Sequence, residues 1–127
     1  MLGIQRISIA PKYTKEDGLI VMDSIRTELP FEAKVLQFVI LPPKAIGGNH
    51  RHPRKEAFLA LGEGLELHWQ DEEGELHTEL FVRNEVIIVA PFTPHGIVNK
   101  SETTASIAEW ADGIQHDVEQ VDIIANK

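Results

Sequence analysis

The 127-residue chain contains no cysteine. Disulfides, thiolate metal sites and cysteine nucleophiles are therefore excluded, and a reducing compartment suits it. Aromatic residues make up only 6% of the chain, with a single tyrosine, Tyr13. No apolar run approaches the ~20 residues that a membrane span needs. The opening "MLGIQRISIAPKYTKEDG" carries charges where a signal peptide needs an apolar stretch. Basic residues are the minority, 12 Lys and Arg against 20 Asp and Glu, for a formal net charge of -8. Nucleic acids and anionic membranes call for a basic face, whereas the densest basic spot here is only "PRKE", Pro53 to Glu56. The expectation is a cytoplasmic protein with neither a nucleic-acid nor a membrane partner.

What is present is an ordinary globular composition, 43% hydrophobic and 25% charged, in a chain long enough to bury one core. Period-two patterns and short apolar runs alternate with turn residues. Strands are expected in "GLIVMDSI" (18–25), "AKVLQFVIL" (33–41), "EAFLALGEG" (56–64) and "LELHWQ" (65–70), and after the "DEEGE" turn in "LHTELFV" (76–82). "EVIIVAP" (85–91), "HGIVN" (95–99) and "TASIAEWAD" (104–112) complete the series. Such even spacing of short strands predicts an all-β sandwich or barrel. One domain spans 1–127, with a core of about 18–112 and a tail, 113–127, that reads equally as a short helix or an edge strand.

Two stretches carry candidate chemistry. In "GGNHRHPRKEAF" (47–58), His50, His52 and Glu56 share parity, so a regular strand would turn all three to one face. Two imidazoles and a carboxylate suit a first-row divalent ion, but they suit an acid–base pair or plain turn polarity as well. Gly47 and Gly48 allow a sharp backbone turn just before the pair, and Pro53 suggests an edge or a bulge. The second stretch, "VAPFTPHGIVN" (89–99), places His95 after a proline-marked turn and Asn99 four residues on.

Together the two stretches resemble the motifs of the cupin superfamily. "HRHPRKEAFLALGEG" is similar to its first motif, an H-x-H pair followed by a glutamate and a glycine, through His50, His52, Glu56 and Gly62 or Gly64. "APFTPHGIVN" is similar to the second through Pro94, His95 and Asn99, although Ala90 and Phe92 replace its usual proline and glycine. The resemblance implies a double-stranded β-helix, the RmlC-like jelly-roll barrel. It also implies a divalent metal (Zn, Fe, Ni or Mn) held by His50, His52, Glu56 and His95, with Glu56 and His95 also carrying the chemistry. On the same barrel interior Gln37, Phe58, Asn99 and Trp110 are expected to line a pocket. His68, His77 and His116 are left as surface residues.

"GNHRH" and "EWADG" (109–113) further resemble the small cupins of polysaccharide and sugar-nucleotide biosynthesis. In the ketoisomerases among them the paired histidines work as acid and base without metal, helped by an arginine and a strand tyrosine. Here Gly47 stands in the arginine's place, Leu36 and Gln37 lie in the tyrosine's neighbourhood, and Tyr13 is far upstream. The complete four-ligand set favours a metal instead. The resemblance therefore implies a metal-binding cupin that acts as an isomerase or epimerase on a sugar or another small oxygenated metabolite. The alternatives are an iron-dependent dioxygenase and a non-catalytic metal or small-molecule binder. A homodimer joined through sheet edges is expected by analogy.

Overall fold

A computed structural model describes residues 1–124. Within them the strands run β1 (Ile4–Ser8), β2 (Tyr13–Thr14), β3 (Ile20–Val21), then a single helical turn, α1 (Ile25–Glu28). There follow β4 (Val35–Leu41), β5 (Ile46–Arg51), β6 (Glu56–Leu61), β7 (Leu65–Gln70) and β8 (Leu76–Leu80). The series ends with β9 (Glu85–Val89), β10 (His95–Asn99), β11 (Ala105–Ala111) and β12 (Glu119–Gln120). Two five-stranded antiparallel sheets result, ordered β1-β9-β6-β11-β4 and β12-β5-β10-β7-β8, with β2 and β3 as a separate hairpin. This is the all-β architecture that the strand spacing predicts, arranged as the jelly roll that the resemblance implies.

The core has two layers because the first sheet is covered on both faces. Phe58, Ile87, Val89 and Ile107 point inward from it and meet Leu65, Leu67 and Ile97 of the second sheet. Their neighbours one residue along, Ala57, Leu59, Val86, Ile88, Ala108 and Trp110, point outward onto Ile9, Ile25, Leu29 and Ala33. Burial on both faces explains why β6 reads as a continuous apolar run and not as an alternation.

One expectation changes, one strand is added and one open choice is decided. Residues 18–25 do not form one strand: only Ile20–Val21 pair, and Ile25 opens α1, whose apolar side chain caps the outer core layer. The N-terminal segment instead supplies β1, paired in register with β9 from Ile4↔Val89 to Ser8↔Glu85. The tail contributes an edge strand, since Glu119 and Gln120 pair with Arg51 and His50. The last three residues of that tail lie outside the described residues. No helix among the described residues is long and apolar enough to cross a membrane.

Candidate metal centre

His50, His52 and Glu56 do converge, but not along one strand. β5 ends at Arg51, His52 follows it, and a turn through Pro53–Lys55 carries the chain across to β6, where Glu56 is the first residue. Parity alone would not survive such a crossing between sheets. What aligns the residues is the pairing on either side. His95 sits opposite His50, and the β5–β10 register slips between His95 and Gly96. That bulge is matched by positive φ at Gly48 (78°) and Asn49 (62°), the tight backbone that "GGN" permits.

Three imidazoles surround the Glu56 carboxylate. Their ring centroids are 4.7, 5.1 and 5.2 Å apart, at interplanar angles of 66°, 80° and 89°. One ligand atom from each of His50, His52, Glu56 and His95 lies within 4.8 Å of every other. Glu56 Oε1 is 2.9 Å from His95 Nε2 and 3.0 Å from His52 Nε2. His52, His95 and Glu56 are buried, and His50 is half-buried.

These donors fit a metal ion on two grounds. Both ring nitrogens of His52 are buried without a hydrogen-bond partner. The 3.0 Å approach of its Nε2 to Glu56 is thus a contact without hydrogen-bond direction, as when two donors aim at a common point rather than at each other. His95 Nδ1 lies 2.8 Å from the Thr93 carbonyl, which can only accept, so Nδ1 carries the hydrogen. The neutral ring then turns a lone pair toward Glu56 Oε1, and a cation or an additional proton must lie between these two acceptors. His50, His52, Glu56 and His95 would hold such an ion, and Glu56 Oε1, 2.9 and 3.0 Å from the His95 and His52 nitrogens, is the donor they share.

Burial, followed by the neighbouring His95 and His52, lowers His50 to about 4, so its imidazole is neutral at pH 7. Burial alone would raise Glu56, but the His52 and His95 rings outweigh it and hold the carboxyl far below the usual range. Behind it, Arg54 donates from Nε to Glu56 Oε2 at 2.9 Å, from Nη2 to Glu109 Oε2 at 2.8 Å, and from Nη1 to the Gly113 carbonyl at 3.2 Å. Glu109 also accepts from Gln37 Nε2 at 2.8 Å. Its burial and the adjacent Glu56 push it up to about 8 against the pull of Gln37 and Arg54.

Three of the donors, His50, Glu56 and His95, line a cavity of about 110 Å³, and the remaining walls include Gln37, Val39, Leu41, Phe58, Ile97, Glu109 and Gln115. Cross-strand register explains the membership, because Gln37, Glu109 and Phe58 stand side by side across β4, β11 and β6. Trp110, one residue on, faces the opposite way into the outer core layer and does not line the cavity. Asn99 is also absent from its walls. It is fully buried in a turn, donating to the Leu41 and Thr103 carbonyls and accepting from the Ser101 amide and hydroxyl. Two wider clefts, of about 470 and 560 Å³, touch none of the four donors.

His77 is less solitary than its sequence position suggests. It stacks on Trp69, its Nε2 lies 2.7 Å from Asp71 Oδ2, and it gathers with Asp71 and Glu75 at the β7–β8 turn. Asp71 Oδ1 there accepts from the amides of Glu73 and Glu75, which makes this a turn-stabilising cluster. His68 pairs with Glu66, and the exposed His116 with Asp117. Arg54 and Glu109 matter to the site and went unnoticed in the sequence. Signals exist for both: Arg54 continues the even parity of His50, His52 and Glu56, and Glu109 is a lone charge inside the apolar "SIAEWA".

No family model and no curated protein sequence matches the chain. Solved structures match by fold, sharing its all-β jelly roll. A dTDP sugar isomerase from Desulfovibrio desulfuricans superposes with a TM-score of 0.78 at 16% identity, over 98% of this chain and 89% of that one. The sugar 3,4-ketoisomerase QdtA from Thermoanaerobacterium thermosaccharolyticum, solved with TDP, gives 0.72 at 13% identity, over 90% and 83%. The capsular polysaccharide assembling protein CapF from Staphylococcus aureus gives 0.64 at 20% identity, over 76% of this chain but only 28% of its own.

Proposed function

We propose that this protein is a divalent-metal cupin that isomerises or epimerises a sugar or another small oxygenated compound. The observation that carries the reading is the convergence of four donors, one of them an imidazole with both nitrogens buried and unpartnered, beside a cavity. His50, His52, Glu56 and His95 would hold the ion, with iron, nickel, zinc and manganese all compatible with nitrogen and oxygen ligands. Such an ion polarises a carbonyl or enediol oxygen and eases loss of the neighbouring C–H proton. Arg54 fixes the Glu56 carboxylate, Thr93 fixes the His95 tautomer, and Phe58 and Ile97 keep water from the reacting face. A cytoplasmic homodimer is the proposed working form.

The test is metal analysis of the purified protein, followed by proton exchange of a hydroxy-carbonyl substrate in D₂O, read by NMR. One divalent ion per chain is expected, and Glu56→Gln or His95→Ala should abolish exchange while the protein stays folded. Stoichiometric iron with O₂ uptake and no exchange would indicate a dioxygenase instead. Tightly held metal without either activity would indicate a binding module.

A second reading draws on the 2.9 Å contact between His95 and Glu56, which could hold a proton for metal-free acid–base isomerisation. Several proteins similar in fold are ketoisomerases. Undiminished exchange by chelator-treated protein would favour that reading.

A further inference from the structure

The cavity beside the donor cluster restricts what can enter it. Its volume of about 110 Å³ is smaller than the ~150 Å³ of an engineered apolar cavity that holds benzene, and far below the ~300 Å³ at which pockets for drug-sized ligands begin. His50, Glu56, His95, Gln37 and Glu109 supply its polar walls, with the Phe58 ring 6.0 Å from His95, and Val39 and Leu41 supply apolar walls beside Gly47. No lysine or arginine is among its walls. The guanidinium behind it, Arg54, is already bonded to Glu56, Glu109 and the Gly113 carbonyl. The side chains at the solvent-exposed rim, Gln37 and Gln115, are uncharged amides. Beyond the ion itself, a diphosphate seated here would therefore find no cationic side chain to pair with.

We propose that the cavity takes a small, unphosphorylated hydroxy-carbonyl compound with a short apolar end, and not a nucleotide-linked sugar. The adjacent oxygens face the polar walls and the apolar end lies against Val39 and Leu41. Gly47 sets the available length. A Cβ built there would meet only Leu41 Cδ2 at 3.8 Å and Val39 Cγ1 at 4.0 Å, so alanine fits the backbone and takes up ligand space. Gly48 offers no such test, because its φ of 78° strains any side chain. The inference rests on the metal-cupin reading above and narrows its substrate.

The experiment is calorimetric titration of the purified, zinc-loaded protein with hydroxyacetone and, separately, with TDP. Hydroxyacetone should bind, TDP should not, and Gly47→Ala should weaken hydroxyacetone by about tenfold or more with metal content and circular dichroism unchanged. Should that variant fail to fold, Val39→Leu narrows the same space from the facing wall. The proposal is overturned by TDP binding as tightly as hydroxyacetone, by no binding of hydroxyacetone, or by a folded Gly47→Ala protein of unchanged affinity. Failure of the metal reading shows separately, as a protein that retains no zinc. The same two titrations of that metal-free protein would then still decide the ligand class.

Discussion

Arg54 is 6% exposed and shared between two carboxylates that would otherwise confront each other across the inner sheet. Removing one partner of such a buried group leaves charge without compensation, which costs about 3–5 kcal/mol. Arg54→Met should therefore lower the urea-unfolding free energy of the metal-free protein by about that amount. A loss within error of zero would mean that the guanidinium holds nothing. Glu109 makes a prediction about pH. Its carboxyl is raised from the ordinary 4.5 to about 8 in the folded state, so between those values the native protein holds about one proton more than the unfolded chain. Stability from this group is present in full below 4.5 and is lost as pH rises through about 8. Glu109→Gln keeps the shape and removes the proton, so unfolding midpoints of the metal-free variant should depend less on pH across that window than those of the parent. Glu56 acts oppositely, its depressed pKa giving stability above the ordinary carboxylate range that is lost as pH falls. The four candidate donors, His50, His52, Glu56 and His95, stand out in sequence because their types and order form a recognisable pattern. Arg54 and Glu109 do not, because a buried charge is identified by its partners, and those lie 55 residues apart in the chain.

Among the elements, the C-terminal segment is tied to the strand that carries His50. Asn49 Oδ1 accepts from the amides of Ile123 and Ile124, its Nδ2 donates to the Ile124 carbonyl, and its own carbonyl accepts from Val121. Gly96 leaves room for this strap, since a Cβ there would sit 2.6 Å from Ile124 Cδ1 and 2.9 Å from the Asn49 amide nitrogen. Asn49→Gly tolerates the φ of 62° and deletes only the side-chain bonds. Amide exchange at Ile123 and Ile124 should then accelerate markedly, with β10 still protected; unchanged exchange would show that the strap is held by something else. Gly96→Ala should instead disturb the β5–β10 pairing itself, at a cost of about 1–3 kcal/mol in urea unfolding. Strand β4 and the strands from β6 to β11 were legible because their apolar runs end in glycine, proline or acidic turns, whereas β5, "IGGNHR", has no apolar run to mark it. β1 was not, because "IQRIS" has mixed polarity and gains strand character only from its register on β9. Residues 18–25 misled for the opposite reason: their apolar side chains fill the outer core layer from a hairpin and a helical turn. The parity of His50, His52 and Glu56 gave the right company through the wrong geometry, since a turn and a change of sheet intervene.

At the scale of the whole molecule, both sheets end in open strands, and these differ in charge. β1 carries Arg6, β8 carries His77 and Glu79, and β12 carries Glu119, whereas β4, "VLQFVIL", has no charged residue over its seven positions. Charged side chains are the usual guard on an exposed edge. Here the outward face of β4 shows Leu36, Phe38 and Ile40 at 53%, 63% and 68% exposure, beside the part of the sheet that residues 9–33 cover. A two-fold axis through Phe38 would pair β4 antiparallel with a second copy of itself, bringing Leu36 against Ile40 with no charge at the contact. With a net charge of -8, most other self-contacts would bring like charges together. The proposed homodimer therefore has a definite test. Phe38→Lys sets two ammonium groups together on the axis and should weaken association by about a hundredfold or more, seen as monomer by sedimentation velocity. Leu80→Lys, which alters an apolar residue 62% exposed on β8, should leave the parent's behaviour intact. If Phe38→Lys sediments as the parent does, the β4 dimer is wrong. If both variants become monomeric, the interface is broader than this edge. Because Gln37 stands on the same strand and bonds Glu109 at the cavity, a dimer formed this way would also steady one wall of the candidate site. Phe38→Lys should then weaken hydroxyacetone binding while leaving metal content unchanged.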